Sequence, residues 1–297
     1  MRIHFGCELQ LVCDQPTPVT LLMTVRPERR RRLITPDRVA LRGGTTRKEF
    51  IDAFGNLATR AVLAAGRRHV LRVDGIIRDG GKPDPVRPSA RQVPIAAIPD
   101  EVMPYLMSSR YCEVDLLSDF AWKRFAATPP GWPRVQAICD FVHRHVAFGY
   151  PHARATRSAA QALQEKVGVC RDFAHLAVAL CRAMGIPARY TTGYLGDIGV
   201  PPAPCPMDFS AWFEAWLEGG WFAFDARHNT PRIGRIPIAH GRDATDVAFV
   251  TSFGAHRMLG FKVWTDELAE ERRPPRTTRK ASRRAGTACA PVQAANA

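Results

Sequence analysis

Apolar and polar positions alternate with a period of two near the start of the chain. Ile3, Phe5, Cys7, Leu9 and Leu11 form one such run, and Val19, Leu21, Met23 and Val25 form a second after a turn at Pro16-Thr17-Pro18. Ile51 to Asn56 carries a turn signal inside a further strand pair, and Val70 to Ile77 is another apolar-rich strand. Short strands separated by turns predict a β-sandwich of about ninety residues. From Gly80 to Pro104 six prolines punctuate the chain, which reads as a connection between domains. Beyond it the period becomes helical. Helices are predicted over Leu116 to Ala126, over Pro133 to Val146 and, shorter, over Ser158 to Glu165. The second begins on a proline suited to a first turn and gathers Val135, Ile138, Cys139, Val142 and Val146 on one face.

The next stretch, Val167 to Pro187, has the sharpest pattern. Phe173, Leu176, Ala177, Leu180 and Met184 recur at helical spacing, and Gly185 with Pro187 forms a stop signal. Cys170 therefore sits in the first turn of a buried helix. There, free N–H groups and the helix dipole favour a thiolate. Arg171 and Asp172 make the turn polar, and Gly168 permits close backbone approach. A buried structural cysteine is the competing reading. His175 lies five residues on, roughly 140° round the helix, and reads as a core or capping histidine.

A strand over Ala188 to Leu195 is followed by a proline-rich loop around Cys205. Phe209 to Leu217 and Trp221 to Asp225 then form a hairpin around Glu218-Gly219-Gly220. An even-numbered turn would put Ser210 and Asp225 on one face. His228 has the opposite parity and can approach Asp225 only if the chain turns directly after it.

These motifs resemble the transglutaminase-like superfamily of cysteine enzymes. The matching residues are Gly168 to Leu176, Cys181-Arg182, Gly185 to Tyr190, Gly193-Tyr194, Ala211 to Trp216 and Trp221 to Asp225. The resemblance covers roughly Leu116 to Asp266 and, more weakly, the start of the chain. It implies an α+β fold: a β-sandwich-like domain over 1–95, then a transglutaminase/papain-like domain of helices packed on an antiparallel sheet over 96–267. A disordered basic tail over 268–297 completes the chain. The implied chemistry is acyl transfer. A thiolate attacks a glutamine carboxamide or peptide carbonyl, and an amine or water resolves the acyl-enzyme. Residue by residue, Cys170 is the nucleophile and Asp225 the carboxylate that orients a base. The base position, just before Ala211-Trp212, holds Ser210 instead of histidine. A hydroxyl is too weak a base at neutral pH, and losing general acid–base catalysis costs roughly 10²–10⁴-fold. His152 and His228 are the histidines to check as replacements. The resemblance also places the Cys205 loop near the mouth of the site. Two readings follow: a thiol acyltransferase or amide hydrolase acting on protein or peptide, and a catalytically lapsed module that binds.

Charge adds one point. The net charge is +14, and seven of the Lys and Arg residues lie from Arg272 onward with no acidic residue among them. The tail reads as a solvated appendage, so nucleic acid is not an expected partner. The eight cysteines show no zinc-type spacing, and no metal or cofactor is called for. No apolar run reaches membrane-spanning length, and the start lacks a signal-type apolar segment. Reduced thiols and a cytoplasmic location are the expectation.

Overall fold

The alternating first quarter of the chain folds as seven strands: β1 (Arg2–Cys13), β2 (Thr17–Leu21), β3 (Leu33–Thr35), β4 (Ala40–Arg42), β5 (Gly44–Ile51), β6 (Leu57–Leu63) and β7 (Arg68–Arg78). The structure, a computed structural model, describes residues 1–42, 44–203 and 206–269. The tail from Arg272 and the loop cysteine Cys205 lie outside the described residues. Between β2 and β3 the arginine-rich segment Pro27–Arg32 forms a 3-10 turn, and Pro27 sets the φ of its start. The proline-rich connection then leads to α1 (Val114–Phe125), α2 (Trp132–His145), β8 (Ala147–Phe148), α3 (Ala159–Glu165), β9 (Val167–Gly168) and α4 (Cys170–Ala183). Six strands finish the described chain: β10 (Ala188–Tyr194), β11 (Ser210–Leu217), β12 (Gly220–Phe224), β13 (Ile236–Gly241) and, after a loop, β14 (Val250–Ser252) and β15 (His256–Leu268).

The fold is α+β. Two antiparallel sheets of the N-terminal part are ordered β15-β1-β7-β3, with β4 also on β7, and β14-β2-β6-β5. Each is completed at one edge by a strand from the far end of the chain: β14 pairs with β2, and β15 runs along the whole of β1. Phe5, Leu9, Leu11, Val19, Leu21, Leu63 and Leu71 fill the space between them. That core continues without a break into Tyr190, Tyr194, Phe209, Ile236 and Ile238. The Tyr194 hydroxyl seals the join by donating to the Met23 carbonyl at 2.9 Å.

The third sheet, β12-β11-β10-β13, is also antiparallel. The helices pack on it around α4, whose residues from Asp172 to Ala183 are all buried. Phe213, Ala215 and Leu217 of β11 meet Phe173, Leu176, Ala177 and Leu180 of α4 in a second core. A helix covered on all sides must carry few polar groups. Its buried polar side chains are Asp172, His175 and Arg182, and the Arg182 guanidinium donates to the carbonyls of Ala188, Met107 and Arg242. The β11–β12 hairpin turns on two residues, Glu218 and Gly219, with Phe213 opposite Phe224. Continued one residue past Phe224, this register puts positions 210 and 225 on one face, as expected of an even-numbered turn.

Candidate active site

The first turn of α4 is built by its own sequence. The pair β8–β9 brings the chain in, and Asp172 folds back over the helix start. Its carboxylate accepts from the Val169 N–H at 2.9 Å and from Arg157 at 3.1 Å, with the side chain fully buried. A Cβ on Gly168 would lie 2.6 Å from the Asp172 Cβ, so only glycine leaves room for this carboxylate. The polar turn noted in the sequence is thus a buried ion pair that holds Cys170 at the helix N-terminus.

Cys170 is half-buried. The backbone N–H of Ala211 donates to its sulfur, and the charge of Arg227 also favours the thiolate. Burial nevertheless outweighs both, and the thiol is pushed above its ordinary value. The helix N-terminus alone predicted the opposite direction. The sign changes because burial between α4 and β11 strips the thiol of much of its hydration. Cys170 opens on a cavity of about 540 Å³ that also contains Tyr190, Asp208, Phe209 and Ser210 in its wall.

Ser210 begins β11 beside this thiol. Its carbonyl accepts from the Thr192 hydroxyl at 3.4 Å. It also lines a second cavity of about 480 Å³, together with Asp208, Phe209, Arg227, His228 and Arg232. Cys170 and Ser210 are therefore brought into one cavity wall, while Asp225 lies outside both walls.

Asp225 follows the last residue of β12, and the chain turns there. Its Oδ1 accepts from the N–H groups of Arg227 and His228, both at 3.0 Å. That turn brings the His228 ring back, and Nδ1 meets Oδ2 at 3.0 Å. Arg235 reaches the same oxygen at 3.0 Å and is itself held by Asp84 at 2.8 Å. Burial would raise the Asp225 carboxyl, but Arg235 and His228 override it and hold the group far below the usual carboxylate range. The carboxylate thus has an imidazole partner, supplied by the turn at His228 and not by the strand position at 210.

Of the other histidines, His256 of β15 lines the Cys170 cavity, with its Nδ1 2.7 Å from the Ser252 hydroxyl. His175 is fully buried between Tyr111 and Tyr190, with ring centroids at 5.1 and 4.9 Å, and its Nε2 accepts from the Ala244 N–H. It is a core histidine, as its helical phase required. His152 ends a 3-10 turn, Tyr150–His152, and lines neither cavity. Among the described residues, no group of three or more His, Cys, Asp or Glu is placed to hold a metal ion. Sequence reasoning missed Arg227, Asp208, Arg235 and the Ala211 N–H. No local pattern marks them, since each acts through contacts between separate elements.

Residues 123–226, which span α4, β11 and β12, match the transglutaminase-like superfamily. Over that segment the chain is transglutaminase-like. A Cytophaga hutchinsonii protein solved as a candidate cysteine protease is 28% identical with a TM-score of 0.76. The match covers 92% of this chain and 93% of that one, so the likeness includes the N-terminal sheets. Among curated proteins, an uncharacterized Mycobacterium leprae protein is 27% identical over 223 residues, which is 73% of this chain and 80% of the relative. A Mycobacterium bovis protein is 33% identical over 131 residues, 40% of this chain and 41% of its own length.

Proposed function

We propose that this transglutaminase-like chain is a thiol enzyme that cleaves or transfers an acyl group from an amide of a protein or peptide. The observation that carries the reading is the placement of Cys170: first turn of the central helix, a backbone N–H on its sulfur, and an open cavity in front. In this reaction the sulfur bonds to the carbonyl carbon, the C–N bond breaks, and the amine leaves with a proton. Water or a second amine then takes the acyl group from the sulfur. Ser210 stands at the family's histidine position and cannot act as base. The imidazole held by Asp225 is His228, and Ser210 is common to its cavity and to that of the thiol. His228 is the proton carrier in this reading. The cysteine-protease description of the Cytophaga relative points to amide hydrolysis as the first reaction to assay. Unpaired cysteines among the described residues suit a reducing compartment, and we place the protein in the cytoplasm.

The test is selective alkylation with peptide mass mapping. Iodoacetamide should modify Cys170 faster than Cys139 or Cys181, both fully buried and both raised by burial. Equal rates would overturn the reading. One observation favours a second reading, a lapsed binding module: the Cys170 thiol is raised and position 210 of its cavity holds a serine in place of an imidazole. That reading requires ligand binding to survive Cys170→Ala.

A further inference from the structure

We propose that the cavity in front of Cys170 selects amides carrying a large apolar side chain beside the scissile carbonyl, and that Met258 and Phe261 of β15 form the wall that does so. This rests on the thiol-enzyme reading and names its substrate class.

The register of β1 with β15 is the first observation. Leu9 lies opposite Phe261, and Leu11 lies opposite Met258. Directly paired residues project to one face of a sheet. Leu9 and Leu11 are 1% and 0% exposed, so this face is the core face. Yet Phe261 is 44% exposed and Met258 is 50% exposed. Two large apolar side chains thus point the way the core points, yet protein covers each only in part. The space in front of them is the Cys170 cavity, which both line.

The second observation is continuity. Phe209, next to Ser210, has its ring 5.7 Å from Phe261 and 3.7 Å from Phe249. An aromatic and aliphatic wall therefore runs from the nucleophile to β15, with Val250 of β14 joining it. The arginines at the other end of the cavity are engaged: Arg154 with Glu165 and Gln161, and Arg171 with the carbonyls of Arg154 and Ala155. A cavity of 540 Å³ is of ligand-pocket size and holds a large side chain together with its amide. Open apolar surface next to a nucleophile gains by burial against an apolar group and gains nothing from a carboxylate.

The experiment compares two reagents on the full chain: the chloromethyl ketones of N-acetyl-phenylalanine and N-acetyl-glutamate. In each the Cys170 sulfur bonds to the methylene carbon and chloride leaves, so only the side chain differs. The phenylalanyl reagent should modify Cys170 about 10- to 100-fold faster, the advantage expected from burying one aromatic side chain. In the double variant Phe261→Ser/Met258→Ser the ratio should fall toward unity, and in Phe261→Leu it should persist. Because both side chains are substantially exposed, the serine variant should fold, which its thermal unfolding checks. Equal rates for the two reagents, with iodoacetamide still selective for Cys170, overturn the subsite and leave the thiol reading intact. A ratio that survives the double serine variant also overturns it. Loss of iodoacetamide selectivity at Cys170 overturns the thiol reading itself.

Discussion

Cys170 carries two opposed influences, and their balance decides its reactivity. The Ala211 N–H and Arg227 favour the thiolate, while burial favours the thiol and prevails. A free cysteine near pKa 8.5 is only a few per cent thiolate at neutral pH, and a raised one is less so. The alkylation rate of Cys170 should therefore still climb above pH 8.5. Removing the cation in Arg227→Ala should move the profile further toward alkaline pH, and rate-against-pH curves for the two proteins check this. Asp225 shows the reverse balance, a buried carboxyl kept charged by Arg235 and His228. Asp225→Asn leaves Arg235 with Asp84 as its remaining carboxylate and should cost roughly 1–3 kcal/mol at neutral pH. A carboxyl lowered in the folded state contributes stability that is complete above its unfolded value of about 3.9 and lost as pH falls below it. The gap in unfolding free energy between wild type and Asp225→Asn should accordingly shrink in acid, as urea titrations at several pH values would show.

The start of α4 is a unit in which several residues depend on one glycine. Gly168 leaves the space in which Asp172 pairs with Arg157 and takes up the Val169 N–H. In Gly168→Ala the new methyl would need the space of the Asp172 carboxylate, whose Oδ2 lies 2.7 Å from it. Overpacking of this kind costs about 1–3 kcal/mol. A lower urea midpoint with an unchanged slope is the expected result. The β11–β12 hairpin is a second such unit. Its two-residue turn sets the parity of Ser210 and Asp225, while the turn after Phe224 carries His228 onto the carboxylate.

The whole molecule is closed by its last strands. β15 lies along β1 and keeps Phe5, Leu9 and Leu11 covered from one edge. A chain ending at Gly254 should lose that cover, bind a hydrophobic dye strongly, and unfold at lower temperature. Acid should act on the whole fold through buried imidazoles. Burial holds His175 down to about 3 and keeps His240 well below its ordinary value. Between pH 6.5 and 3 the unfolded chain binds protons that the folded chain refuses. Stability should thus fall as pH drops through that window, by up to about 1.4 kcal/mol per pH unit for each histidine. In His175→Phe the slope of unfolding free energy against pH should be shallower.

Much of this was legible locally. The helical phase of Phe173, Leu176 and Leu180 buried α4 and put Cys170 at its start, because a 3.6-residue period needs no long-range information. The same phase removed His175 from the site. The even turn at Glu218-Gly219 set the register of β11 and β12, since side-chain direction follows from counting residues. The resemblance of these motifs to a known family named the candidate nucleophile and exposed Ser210 as the departure. What lay beyond local pattern was everything set by packing between distant segments. The desolvation that raises Cys170 depends on how closely β11 lies against α4. The partner of Asp225 depends on a turn whose direction no periodicity marks. The open core face at Met258 and Phe261 exists only because β15 returns across the whole chain to pair with β1. Burial, charge proximity and cavity shape are properties of residues brought together from far apart, so they arise only when the layers close.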